Sequence, residues 1–149
     1  MSIWDTAGQE NFAPLIKTYY KDIGAAILVF DINCKSSFER LKFWINELNN
    51  NGPNNYPISK ILIGNKIDLD DRKVSREEAE QFAALHGFLY DEVSVKQDIN
   101  VDESLLKLVQ EAYKFKNENK GFKSSELNYL ALKPKSNTIK DRENCCCIC

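Results

Sequence analysis

Apolar positions along this chain alternate between two periods. Ala25-Ala26-Ile27-Leu28-Val29-Phe30 is apolar on both alternating faces, the mark of a strand buried on two sides. Ser36-Ser37-Phe38-Glu39 has the form of a capping box, and it opens a helix on which Phe38, Leu41, Ile45 and Leu48 share a face. Asn49 to Tyr56 is rich in Asn, Gly and Pro and reads as a surface loop. Ile61-Leu62-Ile63 is the next buried strand, inside Lys60 to Gly64. Ser75-Arg76-Glu77-Glu78 is a second capping box. Its helix sets Ala79, Phe82, Ala83 and His86 on one stripe and ends at Gly87. Phe88 to Val93 is a third strand. Asn100-Val101-Asp102-Glu103 caps a last helix, with Val101, Leu105, Leu108, Val109 and Ala112 on one face. Strands that alternate with helices predict an α/β fold of βαβ units around a mainly parallel sheet. After Asn119 the pattern dissolves, so residues 1–119 read as the domain and 120–149 as a flexible tail.

Charge sharpens this division. The 149 residues carry 20 Lys/Arg and 22 Asp/Glu, a net charge of −2, which excludes a strongly basic nucleic-acid binder. Residues 120–149 hold six Lys/Arg against three Asp/Glu, a balance of +3, which leaves −5 on residues 1–119. The longest uncharged apolar run, Ile23 to Phe30, has eight residues, far short of the roughly 20 that span a bilayer. Four of the five cysteines lie in the last five residues, Cys145-Cys146-Cys147-Ile148-Cys149. A disulfide framework would scatter them, so the chain reads as a reduced intracellular domain with a specialised C-terminus. Cys34 reads as a small core residue and His86 as a structural helix-face residue.

Three short strings carry candidate chemistry. In Asp5-Thr6-Ala7-Gly8-Gln9-Glu10, an Asp can hold a metal ion through water. A Gly lets a backbone N–H approach a phosphate closely, and a neighbouring Gln can orient a water molecule. Asp-x-x-Gly alone is a common turn, but the full string after Trp4 is far more specific. Asn65-Lys66-Ile67-Asp68 follows a strand and Gly64, with Asp5 sixty residues upstream of Asn65. A carboxylate accepts both donors on one edge of guanine, N1–H and the 2-amino group, and adenine offers no such pair. An Asn at the strand end can tie loops together, and a Lys stem can cover the ring. Ser94-Val95-Lys96 follows the third strand, where a backbone N–H can meet the guanine O6 and Lys96 can cover the base.

The strings WDTAGQE, GNKIDL and EVSVK, in this order and spacing, resemble the Ras superfamily of small GTPases. Trp4, the pair Tyr19-Tyr20 and the Cys147-Ile148-Cys149 ending resemble its Rab branch in particular. The resemblance implies the three-layer, P-loop NTPase-like fold and a switch that binds GTP/GDP with Mg²⁺ and hydrolyses GTP in vesicle trafficking. Carried over residue by residue from the superfamily's phosphoryl-transfer scheme, Asp5 would hold Mg²⁺ through water. Gly8 would meet the γ-phosphate and Gln9 would position the attacking water. Asn65, Lys66 and Asp68 would read guanine, with Ser94, Val95 and Lys96 closing the pocket. Trp4 and Tyr19 match effector-facing aromatic positions, for which core packing is the competing reading. The resemblance also implies exchange factors, GTPase-activating proteins, effectors and a prenylation escort as partners, and the cytoplasmic face of intracellular membranes as the location.

The sequence also departs from the family pattern. The family fold opens with a strand, the motif G-x-x-x-x-G-K-[ST], a helix and a Mg²⁺-binding Thr, and none of the glycines at 8, 24, 52, 64, 87 and 121 begins that motif. The expectation is therefore a form lacking the first strands and P-loop, inactive on its own, with an exposed edge on Ala25–Phe30. The alternative reading is a non-catalytic, lipid-anchored interaction protein. Lys21-Asp22-Ile23 stands where Rab proteins usually carry Arg-Gly-Ala, Asn11 stands for the usual Arg, and Val95 for Ala. A cysteine cluster can bind metal, but four thiols in five terminal residues cannot easily surround a tetrahedral ion. Resemblance to Rab tails implies geranylgeranyl groups on Cys147 and Cys149, with Cys145 or Cys146 able to substitute.

Overall fold

The computed structural model describes residues 23–53 and 57–118. Three strands, β1 (Ala25–Asp31), β2 (Ser59–Asn65) and β3 (Leu89–Val93), form a parallel sheet in the order β1-β2-β3. Ile27 lies opposite Ile61, and Ile63 opposite Asp91. Three helices connect and follow them: α1 (Lys35–Asn51), α2 (Arg76–His86) and α3 (Val101–Glu118). Successive strand side chains point to opposite faces, so an all-apolar strand needs cover on both. Ala26, Leu28, Phe30 and Leu62 face one cluster, which Phe38, Leu41, Trp44, Ile45 and Leu48 of α1 and Ala79 and Ala83 of α2 complete. Ala25, Ile27, Val29, Ile61, Ile63 and Val93 face the other, under Val101 and Leu108 of α3. The result is the expected α/β fold, a parallel sheet between two helical layers. Among the described residues β1 pairs on one side only, with β2.

The strands end together. Asp31, Asn65 and Val93 occupy one row across the sheet. The loops that leave this row therefore share the carboxyl edge of the sheet, where ligands bind in open parallel folds.

Several boundaries differ from the sequence expectation for local physical reasons. Helix α1 begins at Lys35 with Cys34 in the N-cap position and no side-chain cap, so Ser36 is not the cap. Ser37 turns inward instead: its hydroxyl donates to the Cys34 carbonyl at 2.7 Å and accepts from the Asp31 N–H at 3.0 Å. Cys34 is only half-buried, and is no core residue. The helix also runs three residues into the Asn-rich stretch. Asn51 folds back so that Nδ2 donates to the Glu47 carbonyl at 2.9 Å and to Glu47 Oε2 at 3.2 Å, which ties its side chain to the helix end. Trp44 lies outside the predicted stripe yet is 1% exposed, so the buried face of α1 is wider than Phe38, Leu41, Ile45 and Leu48.

The second helix follows expectation more closely. The Ser75 hydroxyl accepts from the Glu78 N–H at 3.1 Å, and Gly87 ends the helix in the left-handed region at φ 70°. Phe88 N–H donates to the Ala83 carbonyl at 2.9 Å, so Phe88 completes that cap and β3 starts one residue later. Phe82 and His86 are half-buried, their rings 4.6 Å apart. At α3, Asn100 does not cap with its oxygen. It takes φ 58°, and its Nδ2 donates to the Glu92 carbonyl at 2.9 Å. Ser104, absent from the predicted apolar face, is fully buried because its hydroxyl donates to the Asn100 carbonyl at 2.7 Å. Leu108 is buried on that face, while Val101, Leu105, Val109 and Ala112 are half-buried.

Gly64 sits where the sheet has no room for a side chain. A Cβ there would lie 2.9 Å from Ile32 Cγ2, 2.9 Å from the Tyr90 hydroxyl and 3.3 Å from Phe30 Cζ. Gly64→Ala should therefore cost about 1–3 kcal/mol by overpacking. A urea denaturation curve of the full chain checks this, and an unchanged midpoint would show that the neighbours yield freely.

Candidate functional site

The loops after β2 and β3 meet at the carboxyl edge and are joined by side chains from the two sequence motifs. Asn65 Oδ1 accepts from two backbone groups, Lys66 N–H at 2.7 Å and Val95 N–H at 3.2 Å, and so ties one loop to the other. Ser94, fully buried, works in both directions: its Oγ donates to Asp68 Oδ1 at 2.6 Å and accepts from Gln97 N–H at 3.1 Å. A third link is Ile67 N–H to the Val93 carbonyl at 3.3 Å. The second loop closes on itself through Ser94 and Ile99, each N–H donating to the other's carbonyl at 3.1 and 2.9 Å.

The structure thus brings Asn65, Lys66, Asp68, Ser94, Val95 and Lys96 to one place. Within Ser94-Val95-Lys96, two backbone N–H groups are engaged, Ser94 with Ile99 and Val95 with Asn65. The Lys96 N–H takes no partner among the described residues, and Lys96 is exposed. It is the donor of this tripeptide that remains for a ligand. Asp68 is held ready to accept. The Ser94 hydroxyl lowers its pKa below the ordinary 3.8. Partial burial opposes this, and its own backbone N–H, Lys96 and Lys66 add to the lowering. At neutral pH the group is a carboxylate beside an open N–H donor, a pattern complementary to an edge that carries two donors and one acceptor.

Sequence reasoning gave Asn33, Asp31 and Gly64 no part in shaping this edge, and the first two act on Lys66. Lys66 is a non-glycine residue in the left-handed region, at φ 71°. Asn33 Nδ2 donates to its carbonyl at 3.1 Å, and Asp31 Oδ2 receives its ammonium at 2.8 Å. Asp31 also accepts from Asn33 N–H through Oδ1 at 2.8 Å, so one carboxylate organises both. Gly64 is the third, since its missing side chain lets Tyr90 and Ile32 close under the strand end. The polar pair Asp31 and Asn33, ending an apolar strand, was the available signal, but it gains meaning only when the parallel register sets Asp31 against Asn65.

Trp4, Asp5, Gly8, Gln9 and Tyr19 lie outside the described residues, as do Cys147 and Cys149. No cluster of three or more His, Cys, Asp or Glu side chains that could hold a metal ion occurs among the described residues. No helix among them is long and apolar enough to cross a membrane. A family model described as Ras family matches residues 1–114, a span that takes in all three motifs and the whole described sheet.

The Asp68 carboxyl offers a direct check of the joint. Ser94→Ala should move the Asp68 pKa upward toward 3.8, because the leading cause of its lowering is removed. The sign follows from linkage: a depressed folded-state value stabilises above the unfolded value and is lost as pH falls through the folded one. Carboxyl carbon NMR of the full chain against pH reads the shift, and an unmoved titration would show that Ser94 does not set it.

Proposed function

Because the chain belongs to the Ras family, we propose that the loops after β2 and β3 read a guanine base and that the chain carries the base-reading part of a GTP/GDP-dependent switch of the Rab branch. The observation that carries this is the locked edge itself. Asn65 joins the loops, Ser94 fixes the Asp68 carboxylate, and the Lys96 N–H stands open. Asp68 accepts from guanine N1–H and the 2-amino group, and the Lys96 N–H donates to O6. Adenine would set the unprotonated N1 against the carboxylate and its 6-amino donor against another donor, so it is refused twice. The aliphatic stems of Lys66 and Lys96 cover the ring, and the Asp31 contact holds the Lys66 head.

The donor set suits guanine because each group left over on the protein has a counterpart on the base. For the phosphates and Mg²⁺ the proposed residues are Asp5, Gly8 and Gln9. Bound GTP supplies the γ-phosphoryl group that water receives. In that scheme Gly8 would offer its N–H to the phosphate, Gln9 would orient the attacking water, and Asp5 would help to hold Mg²⁺, which would supply charge stabilisation. Trp4 and Tyr19 present the switch to effectors, with exchange factors, GTPase-activating proteins and a prenylation escort as the other partners. Geranylgeranyl groups on Cys147 and Cys149 fix the protein to the cytoplasmic face of intracellular membranes, cycling with the cytosol, in support of vesicle traffic.

Asp68→Ala tests the base assignment. Each charge-assisted hydrogen bond is worth about 1.5–3 kcal/mol, so losing both should erase a preference for GDP over ADP of roughly a hundredfold or more. Competition titrations followed by NMR of the full chain give the preference, and an unchanged ratio would refute the assignment.

The tail assignment is tested in cells. Two prenyl chains bury many CH₂ groups at about 0.8 kcal/mol each, whereas the +3 charge of residues 120–149 adds little. Changing Cys147 and Cys149 together to Ser should move the protein to the cytosolic fraction. A double variant that still pellets with membranes would place the anchor elsewhere.

A further inference from the structure

One partly buried polar cluster has no part in the base-reading scheme, although its Glu92 opens the string EVSVK. The Arg72 guanidinium forks onto Glu92, Nη1 to Oε1 at 2.8 Å and Nη2 to Oε2 at 2.9 Å. The Tyr90 hydroxyl donates to Glu92 Oε1 at 2.8 Å. The Glu92 side chain is 9% exposed. Burial pushes its pKa up, but Arg72 and Tyr90 outweigh that and hold it below the ordinary carboxylate value.

Arg72 stands in the segment that follows Asp68. Its Nη1 also donates to the Val74 carbonyl at 3.1 Å. The N–H groups of Lys73 and Val74 both donate to the Ile32 carbonyl, at 2.9 and 3.0 Å. Arg72 therefore draws the segment after Asp68 onto β3. The main chain of the same Glu92 serves the other loop, for its carbonyl accepts from Asn100 Nδ2 at 2.9 Å where the Ser94–Asn100 loop ends. One residue thus holds the Asp68 loop by its side chain and the Ser94–Lys96 loop by its backbone.

A partly buried ion pair is a weak source of stability, because desolvation and solvent screening offset the attraction. What a bidentate fork adds is fixed geometry. We propose that Glu92, with Arg72 and Tyr90, is a positioning residue that couples the two base-reading loops and thereby sets selectivity for guanine. This rests on the base-reading function proposed above.

Arg72→Lys in the full chain keeps the charge and removes the fork, and Tyr90→Phe removes one hydrogen bond with little change of shape. Amide hydrogen exchange is read at Gln97 and Ile99, which Arg72 does not touch, beside titrations with GDP and with ADP. Coupling predicts that Arg72→Lys speeds exchange at both amides and lowers the GDP-over-ADP ratio, each by about tenfold, with smaller changes of the same sign for Tyr90→Phe. A purely local role would leave Gln97 and Ile99 unmoved, and that result, or an unchanged ratio, overturns the proposal. Should Arg72→Lys fail to fold, Tyr90→Phe decides by the same two readings. Asp68→Ala separates the two ideas, since it should remove selectivity while leaving exchange at Ile99, which bonds the Ser94 main chain, as it was. A starting chain with no preference for GDP would defeat the base reading, and the proposal with it.

Discussion

The Asn65 carboxamide is the joint on which the carboxyl edge of this sheet depends. A parallel sheet can align three strand ends, but it leaves the loops beyond them to find their own partners. Asn65 Oδ1 spends its two lone pairs on one N–H from each loop, Lys66 and Val95. No other side chain of similar size supplies a neutral double acceptor at that reach: Asp would bring a second charge beside Asp68, and Ser is too short. With that joint closed, Ser94 can reach Asp68, and the two loops present one surface.

The joint in turn requires the packing beneath it. Asn65 is the last residue of β2, and its position is set by Gly64, whose absent side chain admits Tyr90 and Ile32. Tyr90 meets Glu92, Glu92 meets Arg72, and Ile32 accepts from Lys73 and Val74. The apolar clusters on both sheet faces hold the strands in register, and the register sets Asp31 beside Asn65. Core packing and the joined loops are therefore continuous here: the side chains that end one begin the other.

What was legible in the sequence is what depends on near neighbours along the chain. The Ser75 cap and the Gly87 stop are decided within one helical turn, and both stand where the residue types put them. The apolar strands announce themselves, as does the grouping of Asn65, Asp68 and Ser94 once three motifs are read together. The residues that went unread are those whose role is set by a distant partner. Ser37 looked like part of a cap, but Asp31 and Cys34 draw it inward. Asn100 looked like a cap acceptor, but the Glu92 carbonyl takes its amide hydrogens. Trp44 fell outside a narrow apolar stripe because the stripe was drawn from spacing, whereas the sheet covers a wider arc of α1.

The backbone strain of the described residues tells where this protein puts its stability to other use. The non-glycine residues with positive φ are Lys66, Asp98 and Asn100, and all three lie in the two loops at the carboxyl edge. Asp and Asn tolerate the left-handed region at small cost, but Lys does not, and such a residue costs on the order of 1–3 kcal/mol. Lys66 is nevertheless held there from both sides, by Asn65 at its N–H and Asn33 at its carbonyl. An unstrained Lys66 would follow the strand direction and carry its side chain away from Asp31. The left-handed turn instead reverses the chain, so that Asp68 comes back within 2.6 Å of Ser94. The strain is the condition for placing a carboxylate two residues beyond a Lys on the same edge, and the hydrogen bonds that hold it are the same ones that join the loops.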